Sequence, residues 1–468
     1  MTPERPIARA ALAAATLALG VQLAGCASSA IDDNVAAAHA EVTARGGPDF
    51  AWLATGAARD QARDEIARAL RQPLSEDDAV RIALSHNLAL QALLFDSAAA
   101  SADATQSARL PNPVFAFERL ASGGADNQIE LTRALSISLL DVLLLPARAR
   151  QAGDAQRRLR LQLTVDVLRA ADAARVAWVA AVATSQSSRY AEQVRDTAQA
   201  AGELARRMEA AGNFSALQRA REEAFVANAL VDLAQARRAQ RGARETLVRA
   251  LGLDASEAAA LTLPEHLPDL PETLPSDIAA QQSALDQRLD LRLARARLDE
   301  LARAQGLARV TGTINGLDIG AERRDRSGLP REHGVTLSVP LPLFDSGDAV
   351  RSAANARYDA ALARTAALAV DAASQLRLAD GDRRDAHTLA LQFRDRLVPL
   401  QATIVGENLL RYNGMLASTF DLLADAREQA RAVQQAIAAQ RDFWLADAAF
   451  QAATLGLPAD PHDITEAR

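Results

Sequence analysis

Hydrophobic and polar residues alternate in two pairs of short segments along this chain, and a far longer helical pattern follows each pair. The alternation is clearest in 128–139 and 333–344, where apolar residues occupy nearly every second position. Such alternation over about 10 residues predicts a strand with one apolar and one polar face. A weaker segment precedes each of them. The sequence therefore predicts four strands, at about 114–120, 128–139, 308–323 and 333–344.

Two long helical patterns follow these pairs, at 141–211 and 346–411. At 1.5 Å per residue the first would reach roughly 100 Å, whereas helices of globular domains average about 11–12 residues. Its apolar residues lie on more than one side, which indicates neighbours on both sides. Pro399 predicts a local kink in the second helix. Shorter returning helices are predicted at 216–251 and 419–455.

The two halves of the chain repeat. Three matches carry the repeat: Leu135–Leu139 with Leu337–Leu341 and Gly212 with Gly414, both at an offset of 202 positions, and Asn87–Leu90 with Leu289–Leu291 at an offset of 201. A solenoid unit is much shorter, at roughly 20–50 residues. The pattern therefore predicts an internal structural duplication, in which each copy supplies half of a symmetric object.

The N-terminus carries a secretory signal. Arg5 and Arg9 precede the apolar stretch Ala10–Leu23, and Leu23-Ala24-Gly25-Cys26 has the form of a lipobox. The stretch is shorter than the about 20 residues of a membrane-spanning helix. Cys26 is the only cysteine, so we predict cleavage of residues 1–25 and lipid attachment at Cys26. An ordinary signal peptide with a chance cysteine is the alternative.

The remaining chain divides into five further segments. A lead at 26–73 is predicted to be extended before a helix at 54–70, and Ser75 is predicted to cap the first helix of the repeat that follows. The segments are the lipid-anchored lead 26–73, a first repeat 74–263, a Pro-rich linker 264–275, a second repeat 276–457 and a disordered tail 458–468.

Charge and composition exclude several classes of function. The net charge is −7 with both signs interspersed, which lacks the basic patch of a nucleic-acid-binding protein. With 6 His and 1 Cys, the chain offers no metal-ligand spacing and none of the common catalytic motifs. We therefore expect neither an enzyme nor a cofactor.

Four strands cannot close a membrane barrel, because known barrels contain at least about eight. Open strand edges are not tolerated in lipid. If these strands cross a membrane, the chain must oligomerise. Two copies would give eight strands, which fill their own interior, whereas three would give twelve and leave a lumen, so a conduit favours a trimer.

The doubled order of helix, two strands, long helix, turn and helix resembles the TolC-type outer-membrane factors. These belong to tripartite efflux and type I secretion systems. The resemblance covers about Leu74–Leu457 and is carried by Leu110–Pro113, Gly212–Ser215, Tyr412–Gly414 and Phe420–Ala424. The first two motifs look most like the heavy-metal RND efflux branch.

The resemblance implies a mainly helical fold with a small β part. Long helical hairpins would form a periplasmic α-barrel, and three chains would build a 12-stranded outer-membrane β-barrel. It also implies a passive conduit of an RND-type system, exporting metal cations and working with a periplasmic adaptor and an inner-membrane pump. The lipobox resembles that of Gram-negative lipoproteins, and by that resemblance Ala27 after it, rather than Asp, implies sorting to the outer membrane.

The same resemblance implies two sets of site residues. The adaptor-docking tips are Gly212, Asn213, Phe214, Ser215, Tyr412, Asn413, Gly414 and Met415. The candidate gate consists of Arg207, Glu209, Arg219, Arg411, Asp421 and Asp425, with Tyr412 beside it. Both sets have plainer interpretations, as turns between antiparallel helices and as a solvated helix face.

Two alternatives to an RND-type metal conduit fit the same sequence. A conduit for secreted proteins or for organic drugs would have the same architecture. A periplasmic coiled-coil structural lipoprotein would keep both hairpins outside the membrane.

Overall fold

A computed structural model describes residues 26–45, 47–53, 55–121, 128–274, 285–312, 316–341 and 343–457, with side chains from residue 34 onward. The predicted signal peptide 1–25 and the tail 458–468 lie outside the described residues. Cys26 is the first residue of a helix, and its side chain is likewise outside the description.

Long helices dominate the described chain. In chain order the elements are α1 (Cys26–Ala44), α2 (Gly56–Ala69), α3 (Glu76–His86), α4 (Leu88–Ser107), β1 (Val114–Ala121), β2 (Ile129–Ser138), α5 (Leu139–Ala210), α6 (Ala216–Leu251), α7 (Ala255–Ala260), α8 (Leu289–Thr311), β3 (Asp318–Arg326), β4 (Glu332–Ser338), α9 (Asp348–Gln392), α10 (Val398–Asn413) and α11 (Thr419–Leu455). No helix in the described part of the chain combines the length and apolar character needed to cross a membrane.

The lead differs from its prediction. Residues 26–44 form helix α1 instead of an extended segment. The run Ala36–Ala38 has the highest helix propensity, and proline and glycine are absent until Gly46, so nothing in this stretch opposes a helix. The predicted cap at Ser75 is present, since its side chain accepts the backbone N–H of Asp78.

The four strands form one antiparallel sheet in the order β1-β2-β3-β4. Two predicted boundaries are wrong. Residues 308–311 belong to α8, whose last turn closes with a 2.9 Å bond from the Gly312 N–H to the Ala308 carbonyl, so β3 starts at Asp318. Strand β4 ends at Ser338 instead of Phe344, because Pro340 has no N–H for the ladder.

Strand register defines two faces of the sheet. Leu135 of β2 lies opposite Phe115 of β1 and Ala321 of β3, and Ala321 lies opposite Val335 of β4. Directly opposed residues share a face, and neighbours along a strand point to opposite faces. One face is therefore apolar, and Ser136 lies on the polar face.

The chain folds as two compact units. The described residues of unit 1 lie within 26–40, 95–163 and 291–369 and contain the sheet. In it Asn34 of α1 donates to Ser101 of α4 at 2.7 Å, and Gln156 of α5 donates to the Ser101 carbonyl at 2.8 Å. These bonds satisfy polar side chains buried between helices, as they must be.

The described residues of unit 2 lie within 41–94, 164–290 and 370–457 and contain the tips of both helical hairpins. Trp178 of α5 is 2% exposed, and its indole N–H donates to the Leu74 carbonyl at 2.8 Å. Around it the buried side of α5 is rich in alanine, which lets helices pack closely. The buried alanines are Ala171, Ala174, Ala177, Ala181 and Ala183.

The Pro-rich linker packs against helices of unit 2. Trp444 and Gln440 of α11 donate to the Pro268 carbonyl at 3.1 and 2.8 Å. The Nε2 of His387 in α9 lies 2.7 Å from the Pro271 carbonyl. Side chains of both helices thus hold the linker by binding its backbone carbonyls.

Pro399 lies where the second long helix changes geometry. Residues Phe393–Leu397 form a π-helical turn between α9 and α10, and the Val398 N–H bonds to the Phe393 carbonyl. Since proline supplies no N–H, the helix absorbs the missing bond by widening this turn. The predicted kink therefore takes the form of a π turn.

The duplication is visible where each returning helix ends. Asn87, just before α4, donates to the Ala250 carbonyl of α6 at 2.8 Å. Arg288, just before α8, donates to the Ala453 carbonyl of α11 at 2.7 Å. These two residues correspond at the offset of 201. Both copies therefore bind a carbonyl near the end of the returning helix, one with an amide and the other with a guanidinium group.

Candidate functional site: the cleft between the hairpin tips

A cleft of about 590 Å³ lies between the two hairpin tips of unit 2. It contains most of the residues predicted to dock an adaptor: Asn213, Phe214, Tyr412, Asn413 and Met415 line it directly. The rest of its wall is formed by Met208, Gln218, Ala417, Ser418, Thr419 and Phe420. Gly212, Ser215 and Gly414 shape the turns beside it.

The first tip is a glycine-capped helix end followed by a capped helix start. Gly212 has φ +76°. Its N–H bonds to the Glu209 carbonyl at 2.9 Å, and the Asn213 N–H bonds to the Met208 carbonyl at 2.8 Å. This is a Schellman motif. Ser215 then starts α6 with a reciprocal capping box to Gln218.

The second tip repeats this geometry with a different residue at the strained position. The Met415 N–H bonds to the Tyr412 carbonyl at 2.9 Å, and the Leu416 N–H bonds to the Arg411 carbonyl at 2.8 Å. Met415 has φ +61°, whereas Gly414 has φ −82°. The repeat in the sequence pairs Gly212 with Gly414, but the conformational equivalent of Gly212 is Met415. Ser418 then caps α11 as Ser215 caps α6.

This geometry predicts opposite effects of alanine at the two tip glycines. Gly212→Ala should destabilise the protein by about 1–2 kcal/mol, because a side chain disfavours the left-handed conformation. Gly414→Ala should be neutral or stabilise by up to about 1 kcal/mol, since its φ suits alanine and the nearest atom to an added Cβ is 3.5 Å away. The stabilities of the two variants are compared through their denaturant unfolding midpoints at fixed protein concentration. Equal destabilisation by both variants would contradict the assignment.

The surface of the second tip is apolar. Met415 is 94% exposed and Leu416 is 82% exposed. Met208, on the first hairpin, lines the same cleft, so both methionines beyond Met1 meet here. Flexible thioether side chains suit a surface that must adapt to a partner.

Three candidate gate residues form ion pairs within the first hairpin. Arg219 of α6 binds Glu209 of α5 at 2.7 Å and Glu223 at 2.8 Å. These two carboxylates raise the pKa of the Arg219 guanidinium. Arg207 binds Glu203 at 2.9 Å, and its hydrogen bond lowers the pKa of the Glu203 carboxyl.

The other candidate gate residues lie on the second hairpin. Asp421 closes the capping box at Ser418, whose hydroxyl and then backbone N–H hold the pKa of its carboxyl below the usual range. Its contribution to α11 is therefore lost only as the pH falls through that lowered pKa. Asp425 accepts a hydrogen bond from Asn408. Arg411 is exposed.

A buried ion pair near the tips was missed by the sequence analysis. Glu222 of α6 is fully buried and binds Arg427 of α11 at 2.9 Å. The Arg427 guanidinium also lies 5.4 Å from the Phe225 ring and 5.9 Å from the Phe420 ring. The pair links the two returning helices. The sequence gives little indication of this pair, because Glu222 and Arg427 lie in different repeats and each looks like an ordinary charged residue on a helix surface.

The cleft offers binding surface rather than reactive groups. Apolar side chains, hydroxyls and amides surround it, and none of the described residues that line it is charged. Among the described residues, no three His, Cys, Asp or Glu side chains come together as metal ligands. The arrangement suits contact with another protein surface.

Comparisons with known proteins gave matches at the level of structure. No protein-family model matches the chain, and no curated protein sequence does. The CmeC outer-membrane channel of Campylobacter jejuni matches with a TM-score of 0.68 at 14% identity, over 84% of this chain and 88% of that one.

Two further channels match in the same way. The outer-membrane protein VceC of Vibrio cholerae gives a TM-score of 0.64 at 17% identity, over 86% of this chain and 97% of that one. The open-state MtrE outer-membrane channel of Neisseria gonorrhoeae gives 0.61 at 20% identity, over 82% and 89%. The chain has the fold of the TolC-type outer-membrane factors.

Proposed function

We propose that this protein is an outer-membrane channel of an efflux system, a passive conduit from the periplasm to the exterior. Three chains would join their sheets edge to edge into a 12-stranded barrel. The helical hairpins would extend into the periplasm. The observation that carries the proposal is the fold, which matches solved outer-membrane channels over more than 80% of this chain.

The sheet supports this function through its faces. The side chains of Phe115, Leu135, Val335 and Leu337 are 52–78% exposed on the apolar face. Burying such a surface in lipid is favourable, at roughly 25 cal/mol per Å². The two outer strands, β1 and β4, leave edges that must pair with other chains inside a membrane.

Adjacent residues on β2 give a matched test of membrane insertion. Leu135→Arg places a charge on the apolar face and should cost about 2–4 kcal/mol at mid-membrane. Ser136→Arg places the same charge on the polar face and should leave insertion intact while changing conductance. The measurement is heat-sensitive trimer migration on gels, followed by single-channel recording in planar bilayers. A periplasmic scaffold would tolerate both variants equally and conduct with neither.

The tip cleft is proposed as the adaptor-docking site at the periplasmic entrance. Its exposed Met415 and Leu416 offer an apolar surface, and the amides of Asn213 and Asn413 offer hydrogen bonds. The adaptor would connect the channel to an inner-membrane pump of RND type. Metal cations are the proposed cargo, selected by the pump and adaptor. Cys26 would carry the lipid that holds the N-terminus to the outer membrane.

The acidic residues of α11 are proposed to narrow the entrance. Replacing Asp421 and Asp425 together by Ala should raise single-channel conductance, because two carboxylates and their bonds to Ser418 and Asn408 are lost. Planar-bilayer recordings measure the change. Ser418→Ala serves as the control, since it removes the same helix cap but keeps both carboxylates. Unchanged conductance in the double variant would contradict the gate.

A further inference from the structure

A row of four residues with two arginines at its centre crosses the apolar face of the sheet, at the end where the turn between β3 and β4 lies. Phe117, Arg133, Arg323 and His333 lie directly opposite one another on the four strands. Register therefore places both guanidinium groups on the same face as Phe115 and Leu135. Beyond this row the same face carries Arg119 and Asp325 on either side of Leu131.

The two arginines of this row belong to a charge cluster in which positive charge exceeds negative charge. Asp325, two residues beyond Arg323, is the carboxylate on which three guanidinium groups converge. Arg133 and Arg323 approach it at 3.3 Å, and Arg331 approaches it at 3.6 Å. One carboxylate balances one guanidinium, so the cluster has an excess charge of about +2. The Arg331 side chain remains 73% exposed.

On the polar face, at the same end of the strands, carboxylate groups outnumber guanidinium groups. Arg324 binds Glu130 at 3.0 Å and Glu322 at 3.4 Å. Arg326 binds Glu332 at 3.1 Å and Glu130 at 3.6 Å. Two guanidinium groups thus meet three carboxylates. Excess positive charge is confined to the apolar face, so a general enrichment of arginine does not explain it.

We infer that Arg133, Arg323 and Arg331 form a binding site for the phosphate groups of an anionic glycolipid in the outer leaflet. The inference rests on the proposed function, since it requires the apolar face to lie in lipid. Helices adjoin the other end of the strands, at Ser138 and Leu139, so the hairpin end faces outward if the helices are periplasmic. Guanidinium groups bind phosphate oxygens in a bidentate manner, with a geometry that ammonium groups lack.

Charge-matched variants on the two faces of β3 and its turn test the site. Arg323→Gln with Arg331→Gln should weaken binding of diphosphoryl lipid A to the detergent-solubilised full chain by about thirtyfold, which is about fivefold for each arginine removed. Arg324→Gln with Arg326→Gln removes the same charge from the polar face and should change it less than threefold. Arg133→Gln with Arg331→Gln repeats the measurement if the first pair fails to fold. Equal loss in the two faces' variants would overturn the inference.

Two further arms separate the possible sources of phosphate and the possible failures. Dephosphorylated lipid A should bind the unaltered protein no better than the first variant binds lipid A. Displacement of lipid A by millimolar inorganic phosphate would indicate a free-phosphate site and overturn the assignment to lipid. Insertion into phosphatidylcholine vesicles is measured separately. Failure to insert would count against the proposed channel, whereas insertion without a difference between the variants would count against the lipid site alone.

Discussion

Arg288→Met is expected to destabilise unit 2 by about 3–5 kcal/mol, the usual cost of breaking a buried, hydrogen-bonded ion pair. Arg288 is 1% exposed. Its guanidinium binds Asp290 at 2.7 Å and donates to the carbonyls of Ala453 at 2.7 Å and Ala372 at 3.2 Å. The variant would remove the hydrogen bonds that the guanidinium donates to one carboxylate and two carbonyls. It would thereby remove the contacts of residues 288–290 with α9 and α11 within unit 2.

Chemical denaturation at fixed protein concentration measures this loss. Arg288→Lys should recover only part of it, because one ammonium group cannot reproduce the planar guanidinium fork. The matched control is Arg297→Met on the exposed side of α8, which should change stability by less than about 0.5 kcal/mol. If Arg288→Met behaves like the control, the guanidinium does not hold these helices together.

The duplication could be predicted from the sequence, but the substitutions between the copies could not. Asn87 and Arg288 perform the same task with an amide and a guanidinium. A comparison of residue types does not identify Asn87 and Arg288 as equivalent, because what they share is a hydrogen bond to a carbonyl near a helix end. The tips show the same limit. Glycine is the usual residue at positive φ, yet Met415 holds that conformation beside Gly414.

The predicted strand boundaries agree with the structure where the alternation of apolar and polar residues is regular, and differ from it where the alternation is interrupted. β1 and β2 differ by one residue or less from their predicted starts and by one from their ends. Strand β3 was displaced, because alternating apolar residues at 308–311 also suit the last turn of a helix. Beyond Arg323, ion pairs replace the apolar pattern that a strand prediction relies on.

The candidate site was predictable where it consists of turns. Glycine, asparagine and serine between two helical patterns located both tips. The sequence could not predict that Asp421 caps α11, or that Arg219 bridges two carboxylates. Those roles depend on helix ends and on helix pairing, which tertiary structure determines. Glu222 and Arg427 needed the packing of α6 against α11 to be identified at all.

Glu222 and Arg427 should show strong energetic coupling in a double-mutant cycle. Arg427→Met leaves a fully buried carboxylate without its partner, and should cost about 3–5 kcal/mol. Glu222→Leu should cost less, because the Arg427 side chain is 17% exposed and keeps its contact with the Phe225 and Phe420 rings. The double variant should be more stable than Arg427→Met alone, since it buries no charge.

Denaturant unfolding of the four proteins gives the coupling energy, expected at about 2–3 kcal/mol, the upper part of the usual range. The exposed pair Glu192 and Arg237, at 2.7 Å in the same unit, is the control and should couple by less than about 1 kcal/mol. Because the buried pair joins the two returning helices close to the tip cleft, Arg427→Met should also alter single-channel conductance, whereas the control variants should not. A coupling as small as that of the exposed pair would mean that α6 and α11 are held together by their apolar contacts alone.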